Sequence, residues 1–368
     1  MIPVTKPYLP NREKLDQYIN GIYERGWLTN NGPLVQELTR RLEEYLGVEN
    51  LLLVGNGTLA LQIAYRALGV SGGSITEKPS EAITTPFTYI ATASSLKWEG
   101  VEPIFVDIDA QTWCLNPANI EVAITSATKA IVPVHVFGNT CEVEAIDRIA
   151  EQHDLKVIYD GAHAFGVTYK GESLLKHGDA TTLSFHATKL FHSIEGGAII
   201  FKHKADLERA RRMINFGLAS PEEIVDVGIN AKMSEFQAAM GLCVLDEIDE
   251  NLKARAEVWY NYEAAFKSTA QLQFRHSYIS CNYSYFPLLL ESEADIKLAM
   301  RNLENKQIQS RRYFYPCLND VMEHQGEKNA VPIARDISNR IMCLPIYSGL
   351  AIDQVEEIIQ TIKAGCDK

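Results

Sequence analysis

The sequence predicts an α/β protein: a doubly wound, mostly parallel sheet, followed by a smaller α+β region. Three observations predict it. Short apolar runs alternate with amphipathic helical patterns over the first two-thirds of the 368 residues, as in successive βαβ units. A hydrophobic share of 46% is enough to bury a substantial core. Residues able to do chemistry fall just after the apolar runs, where an open parallel sheet forms its ligand crevice.

Asn11–Tyr23 has helical spacing at Leu15, Ile19 and Ile22, and a loop over 26–33 follows. Leu34–Leu46 places Leu34, Leu38, Leu42 and Leu46 on one helical face, ended by Gly47. Leu51–Val54 is a strand, then Gly55-Asn56-Gly57-Thr58 leads into a helix over Leu59–Leu68. Strand, glycine turn and helix present free N–H groups and a positive helix end to a phosphate. The same letters fit a dinucleotide fingerprint. That alternative wants an acid at the end of the next strand, about 20 residues on. The next strand, Ala82–Thr85, runs instead into Pro86-Phe87-Thr88-Tyr89. An aromatic there suits a flat phosphorylated ring better than a dinucleotide.

Tyr89–Trp98 reads as a helix, Glu102–Val106 as a strand, and Asn116-Pro117 as the cap of a helix reaching Ile124. Asp107 and Asp109 are expected to form turns. Ala130–Val136 is a strand and Glu142–Gln152 the crossover helix to the most informative stretch. There the strand Lys156–Tyr159 delivers Asp160, with His163 on the turn. The strand Thr181–Phe185 ends in Ser184, His186 and Lys189, and Ala198–Phe201 follows a glycine turn. An acid and a lysine at neighbouring strand ends suit pyridoxal phosphate. That cofactor needs a lysine for the Schiff base and an acid to keep its ring nitrogen protonated. Lys204–Phe216 is an amphipathic helix, and Gly228–Met240 opens a helical pattern continuing to about Phe266. The remainder mixes strands (Tyr283–Leu290, Ile341–Pro345) with helices (Glu293–Asn305, Ile352–Ala364). The expected domains are 1–245 and 246–368.

A net charge of −12 argues against nucleic acid or an anionic membrane as partner. The seven cysteines have no metal-like spacing and read as reduced thiols. No metal is expected. The opening MIPVTKPYLPNREK lacks an apolar targeting core and no run of roughly 18 apolar residues occurs, so a soluble, cytoplasmic protein is expected.

Six blocks carry a resemblance to a known family: G-W-L-T-N-N-G-P, G-N-G-T-L-A-L, T-P-F-T-Y, Y-D-G-A-H-A-F-G, S-F-H-A-T-K with E-G-G-A, and G-I-N-A-K-M-S-E-F-Q-A-A. In that order they resemble the DegT/DnrJ/EryC1/StrS nucleotide-sugar aminotransferases. The resemblance implies the type I fold of pyridoxal-phosphate enzymes, with a three-layer αβα large domain and a smaller C-terminal α+β domain. It implies pyridoxal 5'-phosphate (or its amine form) as cofactor, and L-glutamate and a nucleotide-linked keto-sugar as substrates. Lys189 would be the Schiff-base lysine, Asp160 the partner of the ring nitrogen, and His163 the neighbour of the phenolic oxygen. Phe87 would stack on the ring, and Gly57, Thr58 and Ser184 would hold the phosphate. Asn230 would reach the phosphate of a neighbouring subunit, implying a homodimer with shared sites. Thr29, Lys232, Arg312 and Tyr315 would contact the sugar nucleotide. Lys232 stands where many relatives carry arginine, and Cys317-Leu318 where they often carry histidine. The finer pattern is similar to enzymes aminating C4 of a dTDP-4-keto-6-deoxyhexose for O-antigen synthesis. Amination at C3 and a sugar dehydratase of the same fold are the alternatives.

Overall fold

The computed structural model describes residues 1–71, 79–322 and 329–366. Seven strands form the main sheet: β1 (Leu51–Val54), β2 (Ser80–Thr84), β3 (Val101–Phe105), β4 (Thr128–Val132), β5 (Lys156–Asp160), β6 (Ala180–Ser184) and β7 (Gly197–Phe201), in the order β1-β7-β6-β5-β4-β2-β3. The neighbours from β3 to β6 run parallel. Only β7 is reversed, against both β6 and β1, because a turn rather than a crossover helix joins it to β6.

Alternate residues of each strand feed two helical layers, as a period of two requires. Leu51, Leu53, Val157 and Tyr159 pack with Leu38 and Leu42 of α2 (Pro33–Leu46), Ile146 of α5 (Val143–His153) and Leu242 of α7 (Glu235–Asp246). Leu52, Val54, Ile158 and Ile199 pack on the other face, with Ala60 and Ala64 of α3 (Gly57–Ala67), Leu96 of α4 (Ile90–Trp98) and Leu207 of α6 (Lys204–Met213). A separate core gathers Val258, Tyr262 and Phe266 of α8 (Ile248–Phe266), Ile296 and Leu303, Ile358 and Ile362, Leu288 and Met342 of the antiparallel pair Pro287–Leu289 and Ile341–Cys343, and Ile2.

Buried carboxylates pin these layers at helix starts. Glu235 is fully buried and accepts from the Leu34 and Val35 amides at 3.0 and 2.9 Å, at the amino end of α2. A side chain on Gly32 would come within 2.6 Å of it. Asp107 accepts from the Ile333 and Ala334 amides at 2.9 and 2.8 Å, so the end of β3 caps the helix Pro332–Arg340. Asp109 closes its own turn through Gln111 and Thr112.

The continuous helix expected from Gly228 to Phe266 is corrected. Residues 228–234 are extended up to a capping box formed by Ser234 and Gln237, which starts α7 at Glu235. Ala231 and Met233, buried two residues apart, follow an extended period, not a helical one. A second break falls at Glu247, whose carboxylate is taken by the Tyr8 hydroxyl and the Asn11 amide at 2.8 and 3.0 Å. The segment 117–123 forms two short 3-10 turns instead of a helix. A small hairpin, Leu218–Ser220 with Glu223–Ile224, follows α6.

Candidate active site

A cavity of about 630 Å³ opens where the carboxyl ends of β5 and β6 meet the start of α3 and the segment around residue 311. Asp160, His163, Ser184, Lys189, Gly57 and Thr58 all line it. Adjacent parallel strands bring the acid and the lysine together, because Asp160 ends β5 opposite Thr182 of β6.

The cavity's phosphate-sized corner depends on missing side chains. Asn56 caps α3 through the Leu59 amide at 2.9 Å, leaving the first amides of the helix unpaired inside it. A Cβ on Gly57 would lie 2.8 Å from Ser184 Cβ, and one on Gly197 would lie 2.7 Å from the Asn56 carbonyl oxygen. Only glycine allows this close seating of α3 on β6 and β7. An anion there would meet helix amides, the Thr58 hydroxyl and the Ser184 hydroxyl. A bulky cationic group would meet no acceptor of comparable strength.

Asp160 is buried, with Oδ2 accepting from Thr92 Oγ1 at 2.7 Å and Oδ1 from the Ala162 amide at 3.0 Å. Lys189 follows a turn closed by its own amide to His186 O at 2.8 Å, and Nζ donates to the Tyr285 hydroxyl at 3.2 Å. Beneath that turn Phe185, Phe191 and Phe165 pack ring to ring, and Asn251 of α8 donates to Leu190 O at 3.0 Å. Burial lowers the pKa of Lys189 below the ordinary lysine value, and the Asp160 charge opposes that only in part. His163 is pushed well below the usual histidine range by burial and by Lys189, so it is neutral. Its Nδ1 accepts from the Phe137 amide at 3.2 Å, which places its proton on Nε2.

Several expected residues lie elsewhere. Phe87 is fully buried, edge-on to Phe137 and Phe314 at 6.2 and 5.6 Å, and does not line the cavity. Two residues on, Tyr89 does line it and is 53% exposed; the packing of Phe87 against Phe137 and Phe314 takes that ring inside, so Tyr89 corrects Phe87 as the ring facing the cavity. Arg312 and Tyr315 are corrected as well, because neither lines the cavity. Arg312 points into the protein, to the Ser338 and Asn339 carbonyls at 3.3 and 3.0 Å and to Glu293, with Tyr315 against it at 3.5 Å. Arg311 and Tyr313 line the cavity instead, the guanidinium 4.8 Å from the ring centre. Arg311 makes no side-chain hydrogen bond or ion pair among the described residues. Thr29, Asn230 and Lys232 are outside this chain's cavity. Thr29 accepts from the Trp27 indole through its carbonyl, Asn230 bridges Asn215, and Lys232 donates to Asn215 Oδ1 at 2.7 Å.

Comparison with known proteins decides what this arrangement belongs to. The model of the DegT/DnrJ/EryC1/StrS aminotransferase family matches residues 10–363. The chain belongs to this family. The aminotransferase is 43% identical to a dTDP-4-amino-4,6-dideoxy-D-glucose transaminase of Shigella dysenteriae, over 98% of both chains. It is 38% identical to one of Escherichia coli, again over 98% of each. Among solved structures it resembles DesI in the presence of its TDP-sugar product, at TM-score 0.91 and 29% identity over 100% of this chain and 93% of that one. It equally resembles a candidate sugar aminotransferase of Streptococcus pneumoniae in its PMP form, at TM-score 0.91 and 25% identity over 100% and 99%. The fold is that of pyridoxal-phosphate sugar aminotransferases, and pyridoxal phosphate is the cofactor. The anion corner, the buried acid and the lysine of lowered basicity fit that group. Among the described residues no cluster of His, Cys, Asp or Glu could hold a metal ion, and no helix is long and apolar enough to cross a membrane.

Proposed function

We propose that the aminotransferase moves an amino group from L-glutamate to C4 of a nucleotide-linked keto-sugar. The acceptor is dTDP-4-keto-6-deoxyglucose and the product dTDP-4-amino-4,6-dideoxyglucose, for a cell-surface polysaccharide such as an O-antigen. The observation that carries the chemistry is the meeting of Asp160 and Lys189 in one cavity beside an anion corner. The sugar follows from relatives of that activity matched over the whole length.

In this reading Gly57, Thr58 and Ser184 hold the cofactor phosphate, Asp160 its ring nitrogen and His163, through Nε2, its phenolic oxygen. Tyr89 covers the ring. When bound, the cofactor supplies an aldehyde that exchanges amines and a ring that takes up the electron pair released at the reacting carbon. Lys189 moves the proton. Its lowered pKa leaves more of the amine neutral near pH 7, so Nζ can take the proton from the donor's α-carbon and return one on the acceptor's side. The Tyr285 hydroxyl, kept protonated by burial, accepts from Nζ and holds it in place. Arg311 is the cation presented to an anionic substrate in a protein of net charge −12.

A cytoplasmic homodimer goes with this reading. Trp27, Leu28, Ile224 and Val227 are exposed apolar side chains that a partner would cover. Thr29, Asn230 and Lys232 lie outside the chain's own cavity, and a partner would use them. The domain division at 245/246 is supported by the helix break at Glu247.

Supplying glutamate with a panel of 3-keto and 4-keto nucleotide sugars and reading the product by NMR tests the reading. An amine at C4 is expected. Amination at C3, or of no sugar at all, overturns it.

A further inference from the structure

We infer that Thr88 and Thr92 form a one-directional hydroxyl chain that fixes the orientation in which Asp160 meets the cofactor's ring nitrogen. Thr92 Oγ1 lies 2.7 Å from Asp160 Oδ2, and Thr88 Oγ1 lies 2.9 Å from Thr92 Oγ1. A hydroxyl carries one proton and an ionised carboxylate only accepts. The Thr92 proton therefore points at Asp160, and Thr92 must accept from Thr88. Every donor in the chain is committed, and each bond polarises the next.

Thr92 is well placed to act on Asp160 alone, because it does not line the cavity, whereas Thr88 does. Thr88 and Thr92 are 3% and 0% exposed, so bulk water does not compete for these bonds. Thr92 stands in the first turn of α4, and Thr88 lies just before that helix's N-cap, Tyr89. Ser95 Oγ anchors that turn by donating to the Thr92 carbonyl at 3.1 Å. The other carboxylate oxygen, Oδ1, is held by the Ala162 amide at 3.0 Å. With one fixed donor on each oxygen, the carboxylate plane cannot rotate freely, and its remaining lone pairs are those offered to the cavity it lines. A ring-nitrogen contact is a directional, charge-assisted hydrogen bond and depends on that orientation. Thr92 is thus a positioning residue that acts through Asp160, and Thr88 orders Thr92 in turn.

The inference rests on pyridoxal phosphate being the group in the cavity, and the experiment separates the two. Protein stripped of cofactor is titrated with pyridoxal phosphate and binding is followed by visible absorption. No binding by the parent protein would defeat the cofactor reading itself. With binding by the parent, Thr92→Val is expected to weaken affinity by ~10-fold and Thr92→Ser to restore it to within ~2-fold. Thr88→Val should show a smaller loss of the same sign, about 3-fold, and serves if Thr92→Val does not fold. In an Asp160→Asn background the loss from either valine should vanish, because the group being oriented has lost its charge. Unchanged affinity in both valine variants, or full additivity with Asp160→Asn, overturns the inference.

Discussion

The wall of the cavity that comes from the sheet and the rim that comes from residues 311–315 are built on opposite rules. On the wall, Asp160 and His163 each have bonds to neighbouring elements, and Gly57 sits where no other residue fits. On the rim, Arg311 lines the cavity with an uncommitted guanidinium, while its neighbour Arg312 is spent on carbonyl oxygens of the protein. The wall is prearranged for a group that stays. The rim keeps a charge free for molecules that come and go, which a two-substrate reaction requires.

The largest expected effect is on the wall. Lys189→Ala should lower turnover by ~10³-fold or more and abolish the visible absorption band of the lysine-bound cofactor. Turnover at the parent rate would end the assignment of Lys189. Gly57→Ala comes next. Its methyl would press on Ser184, so cofactor affinity should fall by about 10-fold and stability by roughly 1–3 kcal/mol, read by titration and by denaturant melts.

The rim should respond differently at two adjacent positions. Arg311→Met is expected to raise the KM of an anionic substrate by ~10-fold with little change in melting temperature, whereas Arg312→Met should cost about 1–3 kcal/mol of stability and leave KM nearly as it was. Steady-state kinetics and thermal melts on the pair distinguish substrate contact from scaffold, and a reversed pattern would show the facing to be misassigned.

The smallest effect concerns His135, behind the wall. Burial pushes its pKa down to about 3, its ring lies flat on Tyr159 at 4.6 Å, and Nδ1 accepts from the Cys141 amide. A depressed folded-state pKa means that the unfolded chain binds the proton more readily. This part of the stability is therefore complete above pH 6.5 and is lost as pH falls from there toward 3, by at most ~1.4 kcal/mol per pH unit. His163 works in the same direction. Melting temperatures measured from pH 7 to pH 5 should fall less steeply in His135→Phe than in the parent; parallel slopes would assign the acid sensitivity to other groups.

Most of the fold was legible because its signals are local. The apolar runs at 51–54 and 156–159, the glycine turn at 55–57 and the leucine stripe of α2 each read correctly from period and punctuation. The long helix over 228–266 did not, because a capping box at Ser234 outweighs apolar content that fits either period. The hydroxyl chain to Asp160 left only one sign, two threonines four residues apart, and nothing local said which carboxylate they meet.

By itself the sequence determined which chemical groups the site could contain and the order of the strands' ends along the chain, because composition and periodicity act through near neighbours. Only the tertiary structure decided that Tyr89 and not Phe87, and Arg311 and not Arg312, face the cavity. In irregular segments no period dictates facing. The buried rings of Phe137 and Phe314 and the carbonyls of Ser338 and Asn339, distant in sequence, take one side chain of each pair and leave the other to the cavity.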